Sequence, residues 1–186
     1  MRYHIQTAPI WDVYRQGDGC PLCKLFAAKE KRLVKSYLNE NVMDPQFRTV
    51  QNATGFCPEH IRMMYAGENK LGMALQCETR AAYLADEIKL PKDKKSAKKT
   101  AEMLKAHTGC VICNELADFM PRYYMTIAQM YENEADFPEL FLNAKHCLKH
   151  ATELYAAAEH AGKKTPEYLT ALTDGLKREL KRTEKE

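Results

Sequence analysis

Apolar residues recur along this chain at helical spacing. Leu22, Phe26, Leu33, Val34, Tyr37 and Leu38 fall near a 3.6-residue period, and so do Leu116, Phe119, Tyr123, Ile127 and Met130. Two later stretches behave alike. One carries Ile61, Met64, Leu71, Leu75, Ala82, Leu84 and Ile88, and the other Leu154, Tyr155, Leu169, Leu172, Leu176 and Leu180. Strand-type alternation is confined to Tyr3-His4-Ile5-Gln6. The pattern predicts an all-α protein.

The helical stretches follow cysteine motifs, and the motifs repeat. Cys20-Pro-Leu-Cys23 and Cys110-Val-Ile-Cys113 are Cys-x-x-Cys pairs, while Cys57-Pro-Glu-His60 and Cys147-Leu-Lys-His150 are Cys-x-x-His pairs. The pattern Cys-x2-Cys-x33-Cys-x2-His therefore occurs twice, offset by 90 residues. Laying 20–60 on 110–150 without gaps gives seven identities, at Cys20, Cys23, Ala27, Arg32, Phe47, Cys57 and His60. Gly19 also matches Gly109. The halves have drifted apart elsewhere, and what persists is mostly a set of metal-binding residues.

Three thiolates and one imidazole make a closed tetrahedral donor set, as structural Zn2+ sites use. A Cys-x-x-Cys turn lets two sulfurs converge on one ion, and a helix N-terminus stabilises thiolate with its amides and dipole. The expectation is two Cys3His zinc sites at helix N-termini, drawn from Cys20, Cys23, Cys57, His60, Cys110, Cys113, Cys147 and His150. An iron–sulfur cluster also accepts mixed Cys/His ligation and is a rival metal group. A thioredoxin-like redox pair needs a βαβ context that this pattern lacks. Plain core packing of the cysteines gives no reason for two histidines in matching places.

The spacing does not decide whether each ion lies within one half or joins Cys20 and Cys23 to Cys147 and His150. If Cys57 shares an ion with Cys20 and Cys23, distance constrains the path between them. A helix over about 24–42 carries the chain roughly 28 Å away. The residues 43–56 return only about 21 Å as helix but roughly 46 Å if extended. That reading predicts either a partly extended return or a shorter first helix, with Pro45 and Asn52-Ala53-Thr54-Gly55 supporting a broken return. In the second half Pro121 is a candidate kink and Pro138 a break.

Composition bounds the rest. The 186 residues suit one domain or two small ones, and 45% hydrophobic content suffices for a core. With 28% charged residues and a net charge of +3, the chain is not of the disordered class. Met1-Arg2-Tyr3-His4-Ile5 leads into no apolar signal-peptide region, and no run approaches the roughly 20 apolar residues of a membrane helix. The expected setting is the cytoplasm, with reduced thiols and no membrane association.

Charge is unevenly distributed. Residues 89–105 hold seven Lys against Asp93 and Glu102, a local +5 that leaves the remainder at −2. The expected organisation is a first repeat over 1–90, a Lys-rich linker or helix start over 91–105, and a second repeat over 106–186. The two repeats are expected to pack as one unit. A solvated connector is the simpler reading of the lysines, and nucleic-acid binding the alternative.

Cys77 has Glu167 as its counterpart and, with Met73 and Leu84, fits a buried helix stripe. His146 and His107 are substitute ligands that the repeat register disfavours, and His4 and His160 read as surface residues. The matched Arg32 and Arg122 are either ordinary surface residues or partners offsetting a site's negative charge. No catalytic constellation is present: no phosphate loop, no His-Glu-x-x-His, no nucleophile elbow. Four protein ligands also leave a zinc ion no open position. The expected role is a non-catalytic protein-interaction or scaffold module, with a protein partner or a second copy. A thiol-redox or metal-dependent enzyme is the more distant alternative.

Gly19-Cys20-Pro21-Leu22-Cys23, Gly55-Phe56-Cys57-Pro58-Glu59-His60 and the second pair of motifs resemble those of an uncharacterised bacterial family with duplicated Cys-x-x-Cys and Cys-x-x-His pairs. Asp44-Pro45 followed by Arg48 is similar as well, and the likeness spans nearly the whole chain. In the second half Lys145-His146 replaces Gly-Phe. The resemblance implies a bacterial cytoplasmic protein and carries no established activity.

Overall fold

The computed structural model describes residues 7–183. The one stretch of strand-type alternation, 3–6, and His4 lie outside them. The described residues form ten α-helices and a 3-10 helix, with no strand, so the fold is all-α. In chain order the helices are α1 (Ala8–Gln16), α2 (Pro21–Leu38), α3 (Pro45–Thr54), α4 (Pro58–Ala66), α5 (Lys70–Glu87) and α6 (Lys94–Ala106). Then come α7 (Val111–Asn133), α8 (Phe137–Asn143), α9 (Leu148–Ala156), a 3-10 segment (Ala158–Lys164) and α10 (Thr165–Thr183).

Local chemistry sets many of the boundaries. Pro21, Pro45, Pro58 and Pro138 sit in the first turn of their helices, where a missing N–H costs nothing. Asp44 caps α3, accepting from the amides of Gln46 at 2.8 Å and Phe47 at 3.4 Å. Asp93 and Ser96 form a reciprocal capping box on α6. Part of the Lys-rich stretch is therefore a capped helix, none of whose residues is buried. Pro121 does not end its helix: α7 runs through it.

The chain divides into two compact units, 1–28 with 117–186 and, separately, 29–116. It passes from one to the other within α2 and again within α7. The motif repeats follow the order of the sequence, whereas the units follow where the chain packs.

The discontinuous unit is built on aromatic packing. Trp11, Tyr14, Tyr131, Phe137, Phe141 and Tyr168 are all buried, among Ile10, Leu22, Ile127, Leu154 and Leu172. Trp11 meets Phe137 edge-on at 5.3 Å, and Phe141 stacks on Tyr168 at 4.9 Å. α10 packs on α8, α9 and the 3-10 segment.

The continuous unit, 29–116, has a thinner core of Leu33, Val34, Tyr37, Leu38, Val42, Met64, Val111, Ile112 and Leu116. Polar groups share it. Gln76 donates to the Tyr37 carbonyl at 2.8 Å, Gln51 donates to the Gln76 carbonyl at 3.3 Å, and Tyr37 donates to Glu115 at 2.6 Å. The side-chain oxygens of Gln51 and Gln76 have no protein partner. Met43, Val50, Tyr65, Leu71 and Leu90 stand exposed on the same unit.

Candidate metal centres

Each ligand pair opens a helix. Cys20 immediately precedes α2 and Cys23 lies in its first turn; Cys110 and Cys113 stand likewise on α7. Cys57 and Cys147 are the N-caps of α4 and α9, with His60 and His150 three positions on. This is the placement in which free amides and the positive helix end favour thiolate.

The pairs meet across the repeats. Cys20, Cys23, Cys147 and His150 form one cluster, and Cys57, His60, Cys110 and Cys113 the other, with donor atoms all within 4.8 Å of one another. Each cluster belongs wholly to one unit, the first to the discontinuous and the second to the continuous. Cys57 therefore does not return to Cys20 and Cys23, and the extended path that such a return requires is not needed. The segment instead forms α3, ended by Gly55.

In the first cluster the Nδ1 atom of His150 lies 3.5 Å from the Cys20 sulfur, 3.4 Å from Cys23 and 3.2 Å from Cys147. Cys23 and Cys147 are 3.8 Å apart, sulfur to sulfur. In the second, His60 Nδ1 lies 3.1 Å from Cys57, 3.2 Å from Cys110 and 3.5 Å from Cys113, and the Cys57–Cys113 sulfurs are 3.9 Å apart. These sulfur distances are far beyond a disulfide's roughly 2.05 Å, and all seven cysteines are free.

Gly55 shapes the second cluster. Its φ of 90° is one that side-chain-bearing residues rarely adopt, and a Cβ there would meet the Arg80 guanidinium at 2.9 Å. Its carbonyl accepts the Val111 amide at 3.0 Å, tying the entrance of α4 to that of α7. Arg80 braces the same place through the carbonyls of Asn52 and His107. In the other cluster Lys145 replaces Gly55 without a positive φ, following Ala144 in extended conformation.

Electrostatics explain why such clusters call for a cation. Burial, and then the neighbouring cysteines, push the Cys23 and Cys113 thiols up to about 12. Burial pushes Cys57 up too, but hydrogen bonds from the His60 backbone and from Cys110, Cys113 and His60 outweigh it, leaving it at about 7. Converging thiolates repel one another unless a metal ion neutralises them. Either cluster could hold such an ion.

The remaining candidates separate from the clusters. His146 is buried and paired with the Tyr14 hydroxyl at 3.0 Å, and burial, helped by His150, lowers it to about 4. His107 points its Nδ1 at the Ala53 carbonyl. His160 is half-buried beside Glu159. Arg32 and Arg122 are exposed on α2 and α7. Cys77 is exposed rather than buried, because the inner face of α5 is taken by Gly72 and Gln76. The residue that sequence reasoning missed is Glu30, whose carboxylate lies 3.2 Å from His60 Nε2. Its counterpart in the repeat is Met120, so a search for shared residues passes over it.

These features define a class: an all-α chain in which Cys and His pairs at helix starts assemble into two closed four-donor clusters. The chain belongs to a family described as "Family of unknown function (DUF6062)", whose model matches residues 1–186. No curated protein and no solved structure matches it. None of the described helices is long and apolar enough to cross a membrane.

Proposed function

We propose that this chain is a zinc-binding protein with two structural Cys3His sites, acting as a non-catalytic interaction or scaffold module. The observation carrying this reading is the shape of the two clusters. A tetrahedral ion with Zn–S near 2.3 Å and Zn–N near 2.0–2.1 Å has S···S edges of about 3.8 Å and S···N edges of about 3.6 Å. One S···S edge in each cluster is 3.8 or 3.9 Å, the S···N edges run from 3.1 to 3.5 Å, and all donor atoms lie within 4.8 Å of one another. Four protein donors fill such a coordination shell, which leaves no position for substrate and supports a structural role. Exposed Met43, Val50, Tyr65 and Leu71 supply apolar surface for a protein partner or a second copy.

Metal analysis of the purified protein by mass spectrometry tests the reading, with two Zn per chain expected. Stripping the metal should lower the thermal transition, since binding free energy in small metal domains is also folding free energy. One ion per chain, iron in place of zinc, or an unchanged transition would each count against it.

α6 favours a second reading. It presents Lys94, Lys95, Lys98, Lys99 and Lys105 with no residue buried, as a nucleic-acid-binding regulator would. Binding to duplex DNA or RNA that weakens steeply with salt supports that role, and no binding at low salt removes it.

A further inference from the structure

The two clusters share donors, burial and helix placement, and differ in what stands behind the histidine. His60 and His150 are equally sequestered, at 3% and 4% exposure, and each turns Nδ1 toward its three sulfurs. Behind His60, Nε2 faces the Glu30 carboxylate at 3.2 Å. Behind His150 the Tyr124 ring lies tilted, with centroids 6.3 Å apart, and the exposed Glu153 carboxylate acts on the imidazole through its charge, with no hydrogen bond to Nε2 among the described residues. The position matching Glu30 is Met120, buried in the aromatic core. A carboxylate accepting the outer N–H of a ligating imidazole fixes its tautomer and orientation and makes it a stronger donor.

Other charges do not reverse this difference. Lys24 beside the first cluster is engaged with Gln16 and Asp18, and Lys149 lies over the Phe26 ring. Glu59 beside the second is paired with exposed Arg62. Such solvent-exposed charges act weakly at a distance, whereas Glu30 contacts the ligand ring itself.

Resting on the zinc reading above, we infer that the two sites are unequal: Cys57, His60, Cys110 and Cys113 retain their ion, while Cys20, Cys23, Cys147 and His150 form the exchangeable site. Glu30 is the positioning residue that separates them. The unit holding the exchangeable site carries the larger core, so it keeps its fold when the ion leaves. A half-loaded protein is then a stable species, and metal availability is registered at 20–23 and 147–150 alone.

The test uses the full chain loaded with Zn2+, titrated with EDTA and pulsed with iodoacetamide, and the modified cysteines are mapped by peptide mass spectrometry. Exposed Cys77 is labelled throughout and serves as an internal standard. Cys20, Cys23 and Cys147 should be unmasked at a free-chelator level about 10–100-fold below that unmasking Cys57, Cys110 and Cys113. Glu30→Gln should close that gap by weakening the second set alone, and should shift the His60 Nε2 resonance in 15N NMR while leaving His150 in place. Equal midpoints in the unaltered protein, a reversed order, or a gap that survives Glu30→Gln would overturn the inference. The unaltered protein's midpoints decide it even if the variant does not fold. Failure of the zinc reading itself looks different: all six cysteines would then be labelled before any chelator is added.

Discussion

Among the described residues, the unit of 1–28 and 117–186 buries seven large aromatic rings, six of them joined by ring contacts, and 29–116 buries one, Tyr37, beside two glutamines with unsatisfied oxygens. Yet the two carry the same donor set in the same arrangement. Apolar area removed from water is what holds a helical core together, at about 25 cal/mol per Å2, and the continuous unit has less of it. Its buried amides add directional bonds that contribute only about 1 kcal/mol each. On the zinc reading proposed above, the same cluster of four ligands is a supplement in one unit and a foundation in the other. Metal dependence cannot be read from the motif alone; it depends on how much core surrounds it.

Metal removal should break this comparison open most widely. After chelation, amide hydrogen exchange should rise throughout α3, α4 and α5, while protection persists in α8 and α10. Equal loss in both units would show that the cores are not what differs. Next in size is Phe141→Ala, which empties a site ringed by Tyr131, His146 and Tyr168. It should cost roughly 3–5 kcal/mol in denaturant unfolding followed by near-UV circular dichroism, with little effect on exchange in α3 to α5.

Gly55→Ala should cost on the order of 1–3 kcal/mol through forced backbone strain. Its effect should fall on zinc retention at Cys57, Cys110 and Cys113, measured by chelator competition, and leave the other site unchanged. The last comparison concerns pH and a single side chain. His146 is held neutral in the fold with its value near 4, whereas the unfolded chain takes up the proton near 6.5. The unfolded state therefore gains protons first as pH falls, and stability declines between 6.5 and 4 by up to about 1.4 kcal/mol per unit. His146→Phe, borrowing the residue at position 56, should flatten that slope relative to the parent in paired urea titrations. A parallel slope in both proteins would show that His146 is not its source.

The ligands were legible because the same motif spacing occurs twice, and the all-α class because the 3.6 period is sustained. The pairing was not legible. Identical spacing in both halves makes exchange between them invisible to any one-dimensional count. The path from Val42 to Cys57 misled for the same reason: Asp44-Pro45 is a good helix start, a cap followed by proline, but a distance requirement tied to the wrong ion argued for an extended return. Cys77 has helical spacing with Met73 and Leu84, and spacing cannot tell which side of α5 faces inward. There Gly72 takes the inner face, where an added Cβ would collide with the Leu38 carbonyl, and Gln76 reaches the Tyr37 carbonyl. Glu30 escaped because it distinguishes the halves, and repeat matching finds only what they share.

The crossed pairing also sets an order of events during synthesis. The inner cluster joins residues 50 to 56 apart, the outer one residues 124 to 130 apart, and the first is nested inside the second. At about 5–20 residues per second on the ribosome, Cys57 and His60 wait roughly 3–11 s for their partners, whereas Cys20 and Cys23 wait roughly 6–26 s. Closing the inner loop first also shortens the free chain that the outer one must still gather, which lowers its entropic cost. On the proposed zinc reading, the nascent protein thereby has a sequence of assembly in which the segment that most needs an ion is the first able to capture one.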